Sequence, residues 1–354
     1  MGKKILFCWP EISGYMSACW KELLNYPDIE LLVICLLPDE TSYTNFSTKI
    51  MDGIPSRLIS KQDLGNYYKI KRIIAAYRPD IIIISGWNIN TYKRIAYDKD
   101  FDNAIKILAM DNQFHNNIRQ WIGKFVLRSY LKKFKYAWVP GGRSWEYAKF
   151  LGFKEKNIIK GLLGIDFVRI SNIWNMRYNI KWPKSFLFVG RYIKIKGIHI
   201  LISAYSKYRN YINDPWPLYC CGTGPLKYEI DKISGIKDLG FIQPEDLFKI
   251  FLQSGVFVMP SLRDAWPLAV VEACAAGLPI LCTNVCGSSD EVVKNYYNGI
   301  IIPSNNIDAL TKALCWFHNN YDKIPEMGKR SISLAEPYSA KNWASHFLEY
   351  VKTF

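Results

Sequence analysis

Short apolar runs alternate with helical patterns along the whole chain, and this alternation restricts the possible folds more than any other feature. Each run is continuously apolar, which predicts a strand buried on both faces of a parallel sheet, and the segments between have the period of covering helices. The sequence therefore predicts an α/β protein with two doubly wound parallel sheets that face each other across a cleft. The strand-like runs are KILFCW, ELLVICLL, DIIIISGW, IKILAM and YAWVPG in the first half, and FLFVG, PLYCCG, KDLG, VFVMP, PILCT and GIIIP in the second.

The alternation is interrupted once, by a stretch without a clean period that ends in Trp-Pro. We assign residues 173–184 in this stretch to an interdomain linker. The first domain is then residues 1–172, and the second is residues 185–336. The last segment, residues 337–354, has the pattern of an amphipathic helix.

Two carboxylates eight residues apart, Asp264 and Glu272, enclose the start of a helical pattern in PSLRDAWPLAVVE. A helix N-terminus offers unpaired N–H groups to a phosphate, here those of Leu268 and Ala269, since Pro267 has none. The acids repel an anion, so we expect them to accept hydrogen bonds from hydroxyls instead. A ligand with hydroxyls on both sides of a diphosphate is a nucleotide sugar.

A basic turn lies upstream, where Gly190, Arg191 and Lys196 follow one strand-like run and precede a helical pattern. An arginine fork and a lysine at this turn could neutralise a diphosphate and stabilise the charge of a departing nucleotide. The alternative is a solvated basic loop. Gly222 and Gly224 end the next run, where glycines allow close approach to a base or ribose, although a plain strand-to-helix turn explains them almost as well.

Together these motifs resemble the donor site of retaining glycosyltransferases of the GT-B fold, in the large family 4 (group 1). The paired acids resemble that family's Glu-x7-Glu signature, with Asp264 in place of the first glutamate. FLFVGRYIKIKGIHILISAY, GTGPL, LGFIQPEDLFKIF, AAGLPILCTNVCGSSDEVV and NGIIIP follow in the family's order, so the resemblance is close over roughly residues 185–315. It implies two Rossmann-like domains and a last helix that crosses back to the first domain.

The resemblance also implies a role for each motif residue. Asp264 would hold hydroxyls of the donor sugar, and Glu272 would hold those of the ribose. His115 follows a strand of the first domain, where the family often has a histidine near the reacting sugar. Asp111 and Asn112 are rival candidates, and a surface histidine in a polar loop is as good an explanation. Gly14 follows the first strand, where many members carry two adjacent glycines and this chain has one, and it would contact the donor or the acceptor.

The implied activity is the retaining transfer of a sugar from a nucleotide-diphosphate sugar to a glycan or lipid-linked acceptor, in cell-surface polysaccharide or lipopolysaccharide synthesis. No DxD-like motif accompanies the signature, so we expect neither a metal ion nor another cofactor. The alternatives within enzymes are a GT-B nucleotide-sugar epimerase or phosphorylase. Outside catalysis, a nucleic-acid or membrane-surface binding module on an inactive scaffold is the alternative. A dinucleotide oxidoreductase is disfavoured because no GxGxxG follows a predicted strand.

Positive charge is concentrated in the first half, where residues 1–172 carry 26 lysines and arginines against 16 acidic residues. The segment from Asn112 to Trp145 contains no acidic residue at all. Its apolar residues recur at helical spacing, which predicts either a basic amphipathic helix on an anionic membrane or a helix packed on the sheet. We expect no nucleic-acid partner. The apolar residues are Ile118, Trp121, Ile122, Phe125, Val126 and Tyr130.

The sequence also favours a cytoplasmic protein, peripheral on the inner face of the cell membrane. No apolar run reaches the ~18 residues of a membrane span, and MGKKILFCWPEISG lacks the features of a signal peptide. The nine cysteines show no paired spacing and mostly lie in apolar runs, so we expect buried reduced thiols.

Overall fold

The structure is a computed structural model that describes residues 2–38, 46–177 and 180–353, and these divide into two compact units. The first unit extends to Gly164 and resumes at Ala340, and the second runs from Ile165 to Ser339. The division falls earlier than the predicted boundary at residue 172.

The predicted linker is wrong in its first part, because residues Phe167–Arg177 form a helix of the second unit. Arg177 is buried there and donates hydrogen bonds to the carbonyl oxygens of Phe251 and Ser254. An arginine at a buried position interrupts the apolar periodicity by which a helix is recognised in a sequence. The helix Phe167–Arg177 was therefore not predicted. Residues 178 and 179 of the predicted linker lie outside the described residues.

One parallel sheet forms the centre of the first unit, with seven strands among the residues that the structure describes. Its order is β3-β2-β1-β4-β5-β6-β7. Strands β2 and β3 are added on one side of β1 and strands β4 to β7 on the other, so the strand order reverses between β1 and β4. β1 is fully buried from Ile5 to Cys8, as its continuous apolar run predicted. The strands are β1 Lys3–Glu11, β2 Ile29–Leu36, β3 Ser56–Ile59, β4 Ile81–Ser85, β5 Ile105–Ala109, β6 Tyr136–Trp138 and β7 Ile158–Ile159.

Helices connect these strands, and in the described ranges of the chain none is long and apolar enough to cross a membrane. The helices are α1 Gly14–Leu23, α2 Lys61–Gly65, α3 Tyr67–Tyr77, α4 Asn90–Tyr97, α5 Ile118–Val126, α6 Arg128–Leu131 and α7 Gly142–Leu151. The predicted basic helix is thus divided between α5 and α6. Tyr130 of α6 is buried and its hydroxyl donates to the carbonyl of Gly86, so it does not extend the apolar face of α5 as predicted.

The second unit has its own parallel sheet, of six strands within the described part. The order is β10-β9-β8-β11-β12-β13, with the reversal between β8 and β11. The strands are β8 Phe186–Val189, β9 Leu218–Cys221, β10 Ile236–Asp238, β11 Val256–Met259, β12 Ile280–Thr283 and β13 Gly299–Ile302. The helices are α8 Phe167–Arg177, α9 Ile198–Tyr211, α10 Lys227–Ile230, α11 Pro244–Leu252, α12 Leu268–Ala275, α13 Ser289–Val292, α14 Ile307–Asn319 and α15 Ile324–Ala335. Two doubly wound parallel sheets are therefore present, as predicted.

The last helix, α16 Ala340–Lys352, belongs to the first unit. Phe347 stacks on Trp138 of β6 with ring centroids 4.4 Å apart, and Trp343 stacks on the same ring at 5.1 Å. The Trp343 indole N–H donates to the carbonyl of Leu162 at 2.7 Å. Aromatic packing and this hydrogen bond together hold α16 on the unit.

Candidate functional site

The two motif segments follow neighbouring strands of the second sheet. β8 and β11 pair directly, although β9 and β10 separate them along the chain. Parallel strands end at the same edge of a sheet, and a reversal of strand order leaves a crevice at that edge where ligands bind. Gly190 and Arg191 follow β8, and Asp264 lies in the loop after β11. The topology therefore brings the basic turn and the first acid to one edge.

The basic turn and the acidic loop contact each other through their backbones. The N–H of Leu262 donates to the carbonyl of Ile195 at 2.8 Å. Gly197, which follows the basic turn, has a φ of 73°, and a Cβ at this position would lie 1.9 Å from the carbonyl oxygen of Pro260. Only glycine permits both that φ and that approach, so the contact between the two segments requires glycine at position 197.

Lys196 and Asp264 form an ion pair, with Nζ 2.6 Å from Oδ2. Their side chains are 19% and 9% exposed, so solvent screens the pair weakly. The hydroxyl of Ser261 donates to the same carboxylate oxygen at 3.2 Å, and the N–H of Gly287 donates to the Asp264 carbonyl at 3.0 Å. The sequence analysis missed Ser261, whose one signal was its position two residues after the end of β11.

The N-terminus of α12 has the form predicted for a phosphate site. The helix starts at Leu268 after Pro267, and the N–H of Val270 already donates to the Pro267 carbonyl at 3.1 Å. Within the described residues, the N–H groups of Leu268 and Ala269 donate no hydrogen bond. Two unpaired donors at the positive end of a helix dipole form a site for an anionic oxygen. Ser288 stabilises the residue that precedes α12, because its hydroxyl donates to the Pro267 carbonyl at 3.2 Å.

Glu272 lies one turn further into α12 and is half-buried. Burial, together with the smaller effect of the negative charge of Asp166, raises the pKa of its carboxyl to about 7. In the described part of the chain its side chain forms no hydrogen bond or ion pair. A carboxylate held in this way retains its capacity to accept hydrogen bonds from ligand hydroxyls.

Arg191 is exposed, and its guanidinium pairs with no carboxylate of the described residues. Its five N–H donors are therefore available to an oxyanion. Lys196 differs from Arg191, because its ammonium group already contacts Asp264. The two cations that the sequence placed together thus have different surroundings.

The glycines after β8 and β9 approach each other rather than an open surface. A Cβ on Gly222 would lie 2.0 Å from the carbonyl oxygen of Gly190, and one on Gly224 would lie 2.6 Å from that of Tyr192. The Tyr192 hydroxyl donates to Asp238 at 2.8 Å, a pair that the sequence analysis missed and that steadies this loop. Close packing of two strand-end loops is thus the local reason for both glycines.

Gly14 and His115 belong to the first unit. Gly14 is the first residue of α1, directly after the loop that ends β1. His115 is exposed in the loop after β5, and its backbone N–H donates to Oε1 of Gln120 at 2.7 Å. The roles of Gly14 and His115 at the donor or acceptor therefore stay predictions.

Comparison with known proteins agrees with this geometry. Residues 175–333 match the family model described as glycosyl transferases, group 1. An uncharacterized glycosyltransferase of Haemophilus influenzae is 28% identical over 160 residues, which are 44% of this chain and 45% of that protein. The O-antigen chain mannosyltransferase C of Escherichia coli is 27% identical over 154 residues, 41% of this chain and 40% of that protein. The matches span less than half the length of either relative.

Among solved structures, that of HepE from Anabaena in complex with UDP and glucose superposes with a TM-score of 0.78 at 15% identity. The superposition covers 99% of this chain and 100% of that chain. At this identity the likeness shows the fold, and the GT-B fold expected from the sequence is confirmed. The family match contains the basic turn, both acids and the start of α12. The resemblance to group 1 glycosyltransferases that the sequence motifs indicated is thus confirmed by the match over residues 175–333.

Proposed function

We propose that the chain is a retaining glycosyltransferase, which moves a sugar from a nucleoside-diphosphate sugar to an acceptor hydroxyl. The observation that carries the proposal is the Lys196–Asp264 contact of 2.6 Å at the strand edge where Arg191 also lies. A carboxylate for sugar hydroxyls and cations for a diphosphate are thereby placed side by side. Neither an epimerase nor a phosphorylase is favoured by a separate feature of the site.

In the proposed reaction the bond between the sugar carbon and the diphosphate oxygen breaks, and its electron pair goes to the diphosphate. Arg191, Lys196 and the N–H groups of Leu268 and Ala269 stabilise the charge that develops there. The acceptor oxygen bonds to the sugar on the face that the diphosphate leaves, so the configuration is retained. The departing phosphate takes the acceptor's proton.

We propose that the reaction needs no divalent cation, because these protein cations and backbone dipoles perform the neutralisation that a metal performs in other sites. Asp264 and Glu272 would then act as acceptors for the hydroxyls of the sugar and the ribose. Glu272 suits the ribose role because its carboxylate forms no competing hydrogen bond within the described chain.

For the acceptor, we propose a growing glycan or a lipid-linked sugar at the cytoplasmic face of a membrane, in surface-polysaccharide assembly. The support is the similarity to the O-antigen chain mannosyltransferase C of Escherichia coli, since an O-antigen chain is a surface polysaccharide.

A thermal-shift screen of nucleoside diphosphates and their sugars tests the donor assignment. One nucleotide sugar should raise the melting temperature, and the purified protein should then release nucleotide from it slowly in water and faster with acceptor. The anomeric configuration of the product, read by NMR, should match that of the donor. An epimerised nucleotide sugar, or phosphate-dependent release of a sugar phosphate, would replace transfer by one of the alternatives. A protein that no nucleotide sugar stabilises would contradict the proposal.

A further inference from the structure

Helix α5 presents an apolar face to solvent. None of its residues is buried, and four apolar side chains that share one face are 58–78% exposed. Those side chains are Ile118, Ile122, Phe125 and Val126. The spacing of four, three and one residues places them on one side of the helix. The possibility that this face packs on the sheet is therefore wrong.

Two neighbouring residues of α5 hold the helix on the first unit: Trp121, which borders the apolar face, and Gln120, which lies opposite it. The Trp121 ring meets Phe150 edge-on at 4.8 Å, and its indole N–H donates to Asn116 at 3.0 Å. The side-chain amide of Gln120 donates to the carbonyl of Gln113 at 2.7 Å. These contacts fix the rotation of the helix about its axis. The outward direction of the apolar face is thus set by the packing.

A basic pocket of about 540 Å³ lies beside this face, between α5, α6 and the loop that follows α7. Its lining contains no acidic residue, and the one acid in that loop, Glu155, is paired with Lys149 at 2.8 Å. The basic residues of the lining are Lys124, Arg128, Lys132, Lys135, Lys154 and Lys156. Phe125 belongs both to the apolar face and to the pocket lining, so the two features are continuous.

We propose that α5 and this basic pocket form one docking site for a bilayer that contains anionic phospholipid. The helix lies in the plane of the interface, with its apolar face at the boundary between headgroups and acyl chains. The pocket receives phosphate groups of the headgroups, whose charge complements its six cations. Hereafter we call α5 with the pocket residues the bilayer face.

The chemistry of the exposed side chains selects the bilayer over nucleic acid. Nucleic-acid surfaces use basic side chains with aromatic rings that stack on bases. Here three of the five exposed apolar side chains of α5 are aliphatic, namely Ile118, Ile122 and Val126, and the aromatic Trp121 already packs against Phe150. Transfer of aliphatic side chains from water into acyl chains is favourable, whereas aliphatic side chains cannot stack on bases as aromatic rings do. Binding to the bilayer does not depend on the proposed function. Only its purpose does, which is to bring the enzyme to a lipid-linked acceptor.

The test is co-sedimentation of the full chain with vesicles of phosphatidylcholine, alone or mixed with phosphatidylglycerol. The wild type should pellet with the mixed vesicles and stay in solution with phosphatidylcholine alone. Changing Lys132, Lys154 and Lys156 to Gln should weaken partitioning on the order of a hundredfold, because each basic residue near an anionic surface contributes about fivefold. Changing Ile122 and Phe125 to Ser should weaken it about tenfold or more.

Matched controls separate the bilayer face from net charge and general hydrophobicity. Changing Lys3, Lys49 and Lys341 to Gln removes the same charge from exposed lysines outside the pocket lining. Changing Val168 and Tyr211 to Ser removes two apolar side chains that are 67% and 72% exposed in the second unit. Both control variants should pellet like the wild type.

The proposal is overturned if the wild type binds neutral and anionic vesicles equally, or if the controls lose as much binding as the bilayer-face variants. Release by inorganic phosphate beyond that by chloride of equal ionic strength would indicate a site for soluble phosphate instead. Retention of a duplex oligonucleotide without vesicle binding would assign the surface to nucleic acid. Nucleotide release from the donor is followed in parallel: vesicle binding without release contradicts only the proposed function, and release without vesicle binding contradicts only the bilayer face.

Discussion

Lys196 Nζ lies 2.6 Å from Asp264 Oδ2, although the two residues are 68 positions apart in the chain. The contact joins a cation expected at the diphosphate to a carboxylate expected at the sugar. An ammonium group has three donors, so Lys196 can keep this contact and still donate to a phosphate oxygen. The pair therefore fixes the position of Asp264 as well as supplying charge.

Lys196→Ala should lower turnover by about two orders of magnitude and also destabilise the second unit, since it leaves Asp264 nearly buried without its cation. We expect the free energy of unfolding to fall by about 1 to 3 kcal/mol, because the pair is only partly screened. Asp264→Asn in the same chain should recover part of that loss. Chemical denaturation of the two single variants and the double variant measures the coupling, and strictly additive losses would show that the pair contributes nothing.

Arg191→Ala should lower turnover by about two orders of magnitude while the melting temperature stays unchanged, because the side chain is exposed and pairs with no described carboxylate. Lys194→Ala is the matched control, an exposed cation of the same turn to which no role at the diphosphate is assigned. Steady-state kinetics on both variants decides the point. Equal losses would mean that the turn acts only through its overall charge.

Nucleotide binding should strengthen as pH rises through about 7, because the pKa of Glu272 is raised to about 7 by burial and by Asp166. An ionised carboxylate accepts ribose hydroxyls better than a protonated one. Glu272→Gln should remove this pH dependence and weaken binding at pH 8 by roughly 1 to 3 kcal/mol. Calorimetry with the free nucleotide across pH 5.5 to 8.5 checks both effects, and an unchanged slope in the variant would rule out Glu272 as the titrating group.

The same shift predicts how Glu272 affects stability. Its folded pKa lies above the ordinary value of 4.5, so the folded protein binds this proton more tightly than the unfolded chain does. The stabilisation of the folded protein by this bound proton is complete below about pH 4.5 and is lost as pH rises towards 7. Between pH 4.5 and 7 the free energy of unfolding of the wild type should therefore fall relative to that of Glu272→Gln, which cannot titrate at this position. Chemical denaturation of both proteins across this range measures the difference.

Gly197→Ala should destabilise the second unit strongly, because a Cβ would lie 1.9 Å from the Pro260 carbonyl oxygen and force the basic turn away from the acidic loop. Gly240→Ala is the control, since Gly240 has a similar φ of 68° with no atom within 4 Å of the added Cβ. It should lose only about 1 kcal/mol, the cost of the left-handed backbone. Thermal melts and turnover measurements compare the two variants. Equal losses of stability and turnover would show that the contact between Gly197 and Pro260 has no special importance.

Turnover should persist in excess chelator, since cationic side chains and helix N–H groups are proposed to neutralise the diphosphate. The measurement is nucleotide release from the identified donor with EDTA, followed by addition of magnesium or manganese. Activity that disappears with EDTA and returns with either ion would replace the proposed mechanism by one with a metal.

Much of the fold followed from the sequence, because a buried parallel strand must be apolar on both faces and this leaves a continuous run that can be read locally. The positions of Asp264, Leu268 and Glu272 relative to α12 were predicted for the same reason, since all lie within one short stretch of chain. The order of the two units along the chain also followed from the pattern.

Other properties depended on tertiary contacts between residues distant in sequence. The pairing of Lys196 with Asp264 exists because β8 and β11 are neighbours in the sheet, and no local pattern specifies strand order. Arg177 is buried because carbonyl groups of α11 and the following turn accept its hydrogen bonds. The apolar period of α5 is the same for a helix facing a core or facing solvent, and the contacts of Trp121 and Gln120 decided which. The sequence by itself determined where most strands and helices and the motif residues lie, apart from α8 and the division between α5 and α6. The packing determined which of them meet, because contact depends on the whole chain and periodicity only on neighbours.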